Sequence, residues 1–271
     1  MPEFTCLTVT LTGAIAWIEL NRPDKANALN GTLWREIGEA FRWVDETPEA
    51  RVAILSGAGR HFCSGIDFEL MGQVLGAVEE LGPGRKEERL RRAILELQAA
   101  FTALETCRKP VLAAIHGLCI GGGLDLIAAC DLRYATADAA FSLKEADLAI
   151  VADVGSLHRL PYLIGEGQLR ELAFTARQFD AAEAQAMGLV NRVFADAAQL
   201  RDGVRAIAAD IAAKSPLTVR GIKQVLNHGR DHGVASGLDY VATWNAAMLL
   251  SDDTREAVAA AMQKRPARFA D

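Results

Sequence analysis

No apolar run in the 271-residue sequence reaches the roughly 18 residues needed to span a bilayer. The longest candidate, Val111 to Ala129, is interrupted by His116, four glycines and Asp125. The opening MPEFTCLTVT lacks a basic segment followed by an apolar one, so a secretory leader is not expected, and Phe269-Ala270-Asp271 is not a peroxisomal S-K-L address. Cysteine is sparse: Cys6, Cys63, Cys107, Cys119 and Cys130 form no CxxC pair and are odd in number. That disfavours a disulfide framework or a zinc site and predicts reduced thiols in a cytoplasmic setting. Positive charge is also in deficit. Twenty-nine Lys and Arg against 35 Asp and Glu give a net charge of −6, which argues against a nucleic-acid surface. Any anionic ligand must therefore be met by local cations.

What is present is apolar and evenly distributed. Hydrophobic residues make up 51% of the chain, enough to bury a sizeable core, and charged residues 24%. Leu7–Leu11 and Ala14–Leu20 read as strands around a Thr12-Gly13 hairpin. Asn30 is a plausible N-cap for a helix whose stripe is Leu33, Ile37, Ala40, Phe41 and Val44 and which ends near Pro48. Further strands are expected at Arg51–Ser56, Pro110–Ile115, Asp131–Ala135, Ala140–Leu143 and Leu189–Phe194. Helices are expected at Glu87–Thr106, at Leu124–Cys130, and over nearly everything from Glu166 onward. Gly72–Gly84, rich in glycine, reads as a mobile loop. The unit of strand, glycine turn and helix recurs after residues 56 and 115, which predicts one stacked α/β core with a C-terminal helical appendage.

Two glycine-rich turns carry the chemistry: Gly57 to Asp67 and His116 to Asp125. Each follows an apolar strand and precedes a helix, so free N–H groups at the helix start can stabilise an oxyanion. Both are equally compatible with tight turns that need glycine for positive φ. GAGRHF is not GxGxxG, so a dinucleotide site has little support. Gly117-Leu118-Cys119-Ile120-Gly121 imitates a nucleophile elbow with cysteine in the serine position, His158, His228 or His232 being available as base. Cys119 reads as well as a small buried packing residue, and His61, His116 and His158, which sit in motif regions, read as structural. Asp125, Glu145, Asp147 and Asp153 lie in apolar surroundings, where a carboxylate is costly unless paired or used. Free amides beside paired acids suit proton transfer next to a carbonyl, the amides holding an enolate.

These residues are similar to those of the enoyl-CoA hydratase/isomerase (crotonase) superfamily over residues 8–269. The matching segments are Asn21-Arg22-Pro23-Asp24-Lys25-Ala26-Asn27-Ala28-Leu29, Ser56-Gly57-Ala58-Gly59, Phe62-Cys63-Ser64-Gly65-Ile66-Asp67 and Ile120-Gly121-Gly122-Gly123-Leu124-Asp125. Cys130-Asp131-Leu132-Arg133-Tyr134-Ala135, Leu160-Pro161, Ala182-Glu183-Ala184 and Gly188-Leu189-Val190 add to them. The resemblance implies an α/β, crotonase-like spiral of ββα units over residues 1–195, carrying the CoA and catalytic sites. It implies a C-terminal helical trimerisation region over residues 196–271, in a trimer or dimer of trimers. An acyl-CoA thioester is the implied substrate, with no metal or redox cofactor. Ser64 and Gly122 are the implied oxyanion-hole amides; Lys25, Ala26, Ala28, Ile66, Asp67 and Lys264 the implied CoA contacts.

The acids decide the reaction. A typical hydratase of this family carries Glu where this chain has Asp125, and no acid where it has Asp153. The trio Asp125, Glu145 and Asp153 resembles that of Δ3,5-Δ2,4-dienoyl-CoA isomerases, which implies that Asp153 takes the C2 proton, Glu145 delivers one at C6, and Asp125 tunes Glu145. Alternatives are an enoyl-CoA hydratase, a Cys119 hydrolase, or a non-catalytic CoA- or RNA-binding member.

Overall fold

The computed structural model describes residues 2–271. β1 (Leu7–Thr12) and β2 (Ile15–Leu20) form the expected antiparallel hairpin, Thr12 opposite Ile15, with Gly13 at φ 59° in the turn. α1 (Gly31–Glu46) starts where the Asn30 side chain accepts the Leu33 N–H at 2.8 Å, and it buries Leu33, Trp34, Ile37, Ala40, Phe41 and Val44. β3 (Val52–Gly57) follows, then α2 (Phe68–Glu79) and α3 (Arg85–Thr106). The segment expected to be a mobile loop thus lies largely inside a helix. Asp67 caps α2 by accepting the Glu69 N–H at 3.1 Å, while Leu70 and Val78 are buried two turns apart. Gly72 and Gly76 face open space, where lost side chains cost only helix propensity.

β4 (Val111–Ile115), β5 (Leu118–Ile120), α4 (Gly122–Ala128), β6 (Leu132–Thr136) and β7 (Ala140–Ser142) come next. α5 (Ser156–Arg159), α6 (Glu166–Thr175), β8 (Phe179–Asp180), α7 (Ala181–Ala186) and β9 (Arg192–Phe194) complete the alternating part. A six-stranded sheet has the order β1-β2-β3-β4-β6-β9, and β5-β7-β8 form a second sheet. From β2 onward every pairing in the larger sheet is parallel. Successive pairs, β4/β5 and β6/β7, place one strand in each sheet, which is the repeat of a ββα spiral. β5 and β8, two or three residues each, carry too little pattern to be read from the sequence.

Side chains alternate across a strand, so one sheet serves two cores. Ala53, Leu55, Val111, Ala113 and Ile115 join the main core with α1 and α3. Val52, Ile54, Leu112 and Ala114 face the other way, where α8 (Ala197–Ala212) lays down Leu200, Val204 and Ala208. Covering both faces explains why these strands read as unbroken apolar runs. α9 (Pro216–Met248) is interrupted by Gly233, at φ 80° and ψ 172°, and α10 (Asp252–Met262) closes the chain. The buried Lys223 ammonium anchors α9, donating to Asp131 Oδ2 at 2.7 Å and to the Leu104 carbonyl at 3.1 Å. No helix among the described residues is long and apolar enough to cross a membrane.

Candidate active site

The two glycine turns lie side by side. Phe62 donates to the His116 carbonyl at 2.8 Å, Cys63 to Leu118 at 2.9 Å, and Ile120 back to Cys63 at 3.0 Å. The segment from Arg22 to Leu29 braces them. The fully buried Asn27 amide donates to the Ala58 and His61 carbonyls at 2.9 and 2.8 Å, and its Oδ1 accepts the Arg22 N–H at 2.8 Å. Arg22 pairs with Asp67 at 3.0 Å, holding the start of α2 against the same segment. Glycine is needed at Gly123, where a Cβ would lie 2.9 Å from that of Cys63.

The structure corrects one expected oxyanion donor. The Ser64 N–H is already spent on the Ala26 carbonyl at 3.0 Å. Leu29 donates to the Gly65 carbonyl at 2.8 Å and accepts from Asp67 at 3.1 Å. That parallel bridge turns the intervening Ile66 N–H to the opposite side. Neither the Ile66 nor the Gly122 N–H has an acceptor among the described residues. The two are neighbours, because a Cβ on Gly122 would sit 3.9 Å from the Ile66 nitrogen. Gly122 opens α4, where amides lack intrahelical partners. The pair of free amides is therefore Ile66 and Gly122. The sequence motif placed the right turn but could not say which of its alternating amides faces outward.

Asp125 and Glu145 converge on Gly121. Asp125 donates its N–H to the Gly121 carbonyl at 3.1 Å, and a Cβ on Gly121 would lie 3.2 Å from Glu145 Oε1. Asp125 is fully buried; its Oδ1 accepts the Ser156 N–H at 2.6 Å, while Oδ2 has no partner. Glu145 Oε2 is likewise buried without a partner. Burial lifts the Asp125 carboxyl to about 6, against the Ser156 hydrogen bonds that lower it. Burial, then the Asp125 charge, lifts Glu145 to about 7. Asp153 is exposed on a cleft of about 460 Å³ that Gln98, Glu105, Arg159 and Arg230 also line, and that Asp125, Glu145 and the free amides do not; partial burial raises its carboxyl above the ordinary range. Its charge also pushes both Asp125 and Glu145 upward. The arrangement is two buried acids raised toward neutrality and a third, more exposed one that is also raised.

Lys25, Ala26 and Ala28 lie on the bracing segment, Lys25 exposed at the end of a 3-10 turn. Lys264 follows α10 in a left-handed conformation, φ 52°, and no hydrogen bond joins it to the other site residues in the single chain. Cys119 is fully buried in β5 and burial pushes its thiol well above the ordinary range, the reverse of an activated nucleophile. His116 contacts the Gly59 carbonyl at 3.0 Å and His61 accepts the Leu118 N–H at 3.2 Å, both structural roles. Sequence reasoning missed Ser156, which acts through its backbone, and Arg159, whose partner Glu105 is 54 residues away; neither has a local signal.

Paired backbone amides at a helix start, beside two buried acids raised toward neutrality, suit an enzyme that moves protons next to a carbonyl. The model of the enoyl-CoA hydratase/isomerase family matches residues 10–271, and the chain belongs to that family. It is 54% identical over 252 residues to the peroxisomal Delta(3,5)-Delta(2,4)-dienoyl-CoA isomerase of Arabidopsis thaliana, covering 93% of this chain and 91% of that one. The mitochondrial enzyme of the same name from Mus musculus is 48% identical over 249 residues, 92% and 76% of the two chains. Among solved structures, an enoyl-CoA hydratase from Bacillus anthracis superposes with a TM-score of 0.89 at 31% identity, covering 98% and 99%.

Proposed function

We propose that the protein is an isomerase that converts 3,5-dienoyl-CoA thioesters to 2,4-dienoyl-CoA thioesters, as the names of its 43–54% identical relatives indicate. The observation that supports the mechanism is that the free Ile66 and Gly122 amides adjoin Gly121, on which the buried Asp125 and Glu145 carboxyls converge. Asp153, the most exposed acid of the three, takes the C2 proton as a carboxylate. The electron pair moves through C3–C6, and negative charge gathers on the thioester oxygen, held by the Ile66 and Gly122 N–H groups. Glu145, kept protonated by burial and by Asp125, delivers a proton to C6. One proton is taken and one given, so the step needs no metal or redox cofactor. Lys25, Ala26 and Ala28 on the bracing segment and Asp67 at the start of α2 would contact the CoA.

The reading extends to assembly and compartment. Val234 and Leu238 in the second half of α9, Leu249 and Leu250 between α9 and α10, and Val258 and Met262 on α10 are exposed. A patch of that kind supports packing into a homo-oligomer, a trimer or dimer of trimers, in which Lys264 would meet a neighbour's CoA phosphates. All five cysteines are buried and unpaired, in keeping with a reducing, cytoplasmic setting; the relatives above are peroxisomal or mitochondrial by name. The functional test is Asp153→Asn. Turnover of a 3,5-dienoyl-CoA is expected to fall by about 10²–10⁴-fold with CoA binding retained. Unchanged turnover would remove Asp153 from the mechanism.

A further inference from the structure

The turn that carries Asp153 is clamped by residues outside the proton-transfer trio. Asp153 is exposed and its own side chain has no hydrogen bond among the described residues, so its position depends on its backbone. Gln98 of α3 donates to the Asp153 carbonyl at 2.6 Å. One residue on, the Val154 carbonyl accepts from Arg159 Nη1 at 3.3 Å. Gly155 follows at φ 132°, and a Cβ there would lie 1.8 Å from that same nitrogen, so the guanidinium occupies the space a side chain would need. Ser156 then turns its N–H onto Asp125.

Arg159 is itself fixed. Its Nη2 and Nε reach Glu105 Oε2 at 2.8 and 3.2 Å, and Nη2 reaches Thr102 Oγ1 at 3.3 Å. The other Glu105 oxygen takes Arg230 Nη1 of α9 at 2.5 Å. With side chains only 13% and 17% exposed, Arg159 and Glu105 form an ion pair shielded from solvent, and the fork of the guanidinium spans Glu105 and Val154 together. A lysine ammonium is a point charge without that planar fork.

We propose that Arg159, pinned by Glu105 and assisted by Gln98, is the positioning residue for Asp153, holding the turn so that the carboxylate meets the substrate's C2 proton. The inference rests on the reading of Asp153 as the base. Misplacement of a reacting group by about 1 Å costs about 10²-fold, so small movements of this turn register as rate.

The test uses the full chain with 3,5-octadienoyl-CoA and its C2-deuterated form, comparing wild type, Arg159→Lys, Gln98→Ala, Asp153→Asn and the Asp153→Asn/Arg159→Lys double variant. Arg159→Lys is expected to lower kcat by about 10²-fold with KM unchanged, and to enlarge the deuterium isotope effect as C2 abstraction becomes slower. In the Asp153→Asn background the same change is expected to cost nothing further. Gln98→Ala, which spares the ion pair, is expected to move kcat and isotope effect in the same direction by about 10-fold; it decides the matter should Arg159→Lys fold poorly. Wild-type turnover and isotope effect in both single variants, with Asp153→Asn inactive, would overturn the positioning role. An active Asp153→Asn would instead overturn the base, and this inference with it.

Discussion

Ser156 holds Asp125 through its backbone: the Ser156 N–H lies 2.6 Å from Asp125 Oδ1, and Oδ2 is left buried without a partner. An interior carboxylate so placed is a stability cost kept for function. Asp125 and Glu145 both bind protons more tightly in the folded chain than in the unfolded one, since burial raises both. The stability this gives is present below the unfolded values, near 4, and is lost as pH rises through about 6 and about 7. Asp125→Asn keeps an oxygen for Ser156 and removes the charge. Its thermal midpoint at pH 8 is expected to exceed that of wild type by an amount worth about 1–3 kcal/mol, shrinking toward zero at pH 4. Thermal denaturation at the two pH values checks this; equal gains at both would contradict it.

The pH dependence of kcat/KM follows from the same acids. Asp153 must be ionised, and desolvation raises it above the ordinary aspartate value, so the rate falls on the acid side above that value. Glu145 must be protonated, so the rate falls again as pH passes about 7. A bell is expected, and its limbs belong to the interacting set of carboxyls. In Asp125→Asn the alkaline limb is expected to move to lower pH, because the charge that raises Glu145 is gone. Steady-state profiles of both proteins between pH 4 and 9 test it. An alkaline limb unmoved by Asp125→Asn would separate the two residues.

Cys119 is a packing residue on this account. Cys119→Ser is expected to keep isomerase turnover within about 2-fold while lowering stability by about 1–3 kcal/mol, the cost of a buried hydroxyl. Rapid-mixing kinetics should reveal no acyl-enzyme burst. A folded but inactive Cys119→Ser would point back to the thiol as nucleophile.

Much of this was legible before the fold was known, and the reasons differ by element. The Asn30 cap, the α1 stripe and the apolar strands β3 and β4 follow from periodicity and burial, which are local. The acids stood out because Asp125 and Glu145 interrupt apolar sequence. The helix α2 was masked by Gly72 and Gly76, whose low propensity is overcome by Asp67 capping and by the burial of Leu70 and Val78. One oxyanion donor of the two differs, the motif pointing to Ser64 where the structure offers Ile66 two residues on, because the direction of successive N–H groups depends on pairing with Ala26 and Leu29. Ser156 and the Arg159–Glu105 pair were invisible because their meaning lies in contacts 31 and 54 residues apart.

The central claim is that these acids isomerise and do not hydrate. The most direct measurement follows the ultraviolet absorbance of 3,5-octadienoyl-CoA and of crotonyl-CoA with the same enzyme sample. The account predicts growth of the conjugated 2,4-dienoyl-CoA band, with little loss of crotonyl-CoA. Rapid hydration of crotonyl-CoA without any dienoyl product would contradict it, and would make Asp153 a bystander beside a water-activating Asp125 and Glu145.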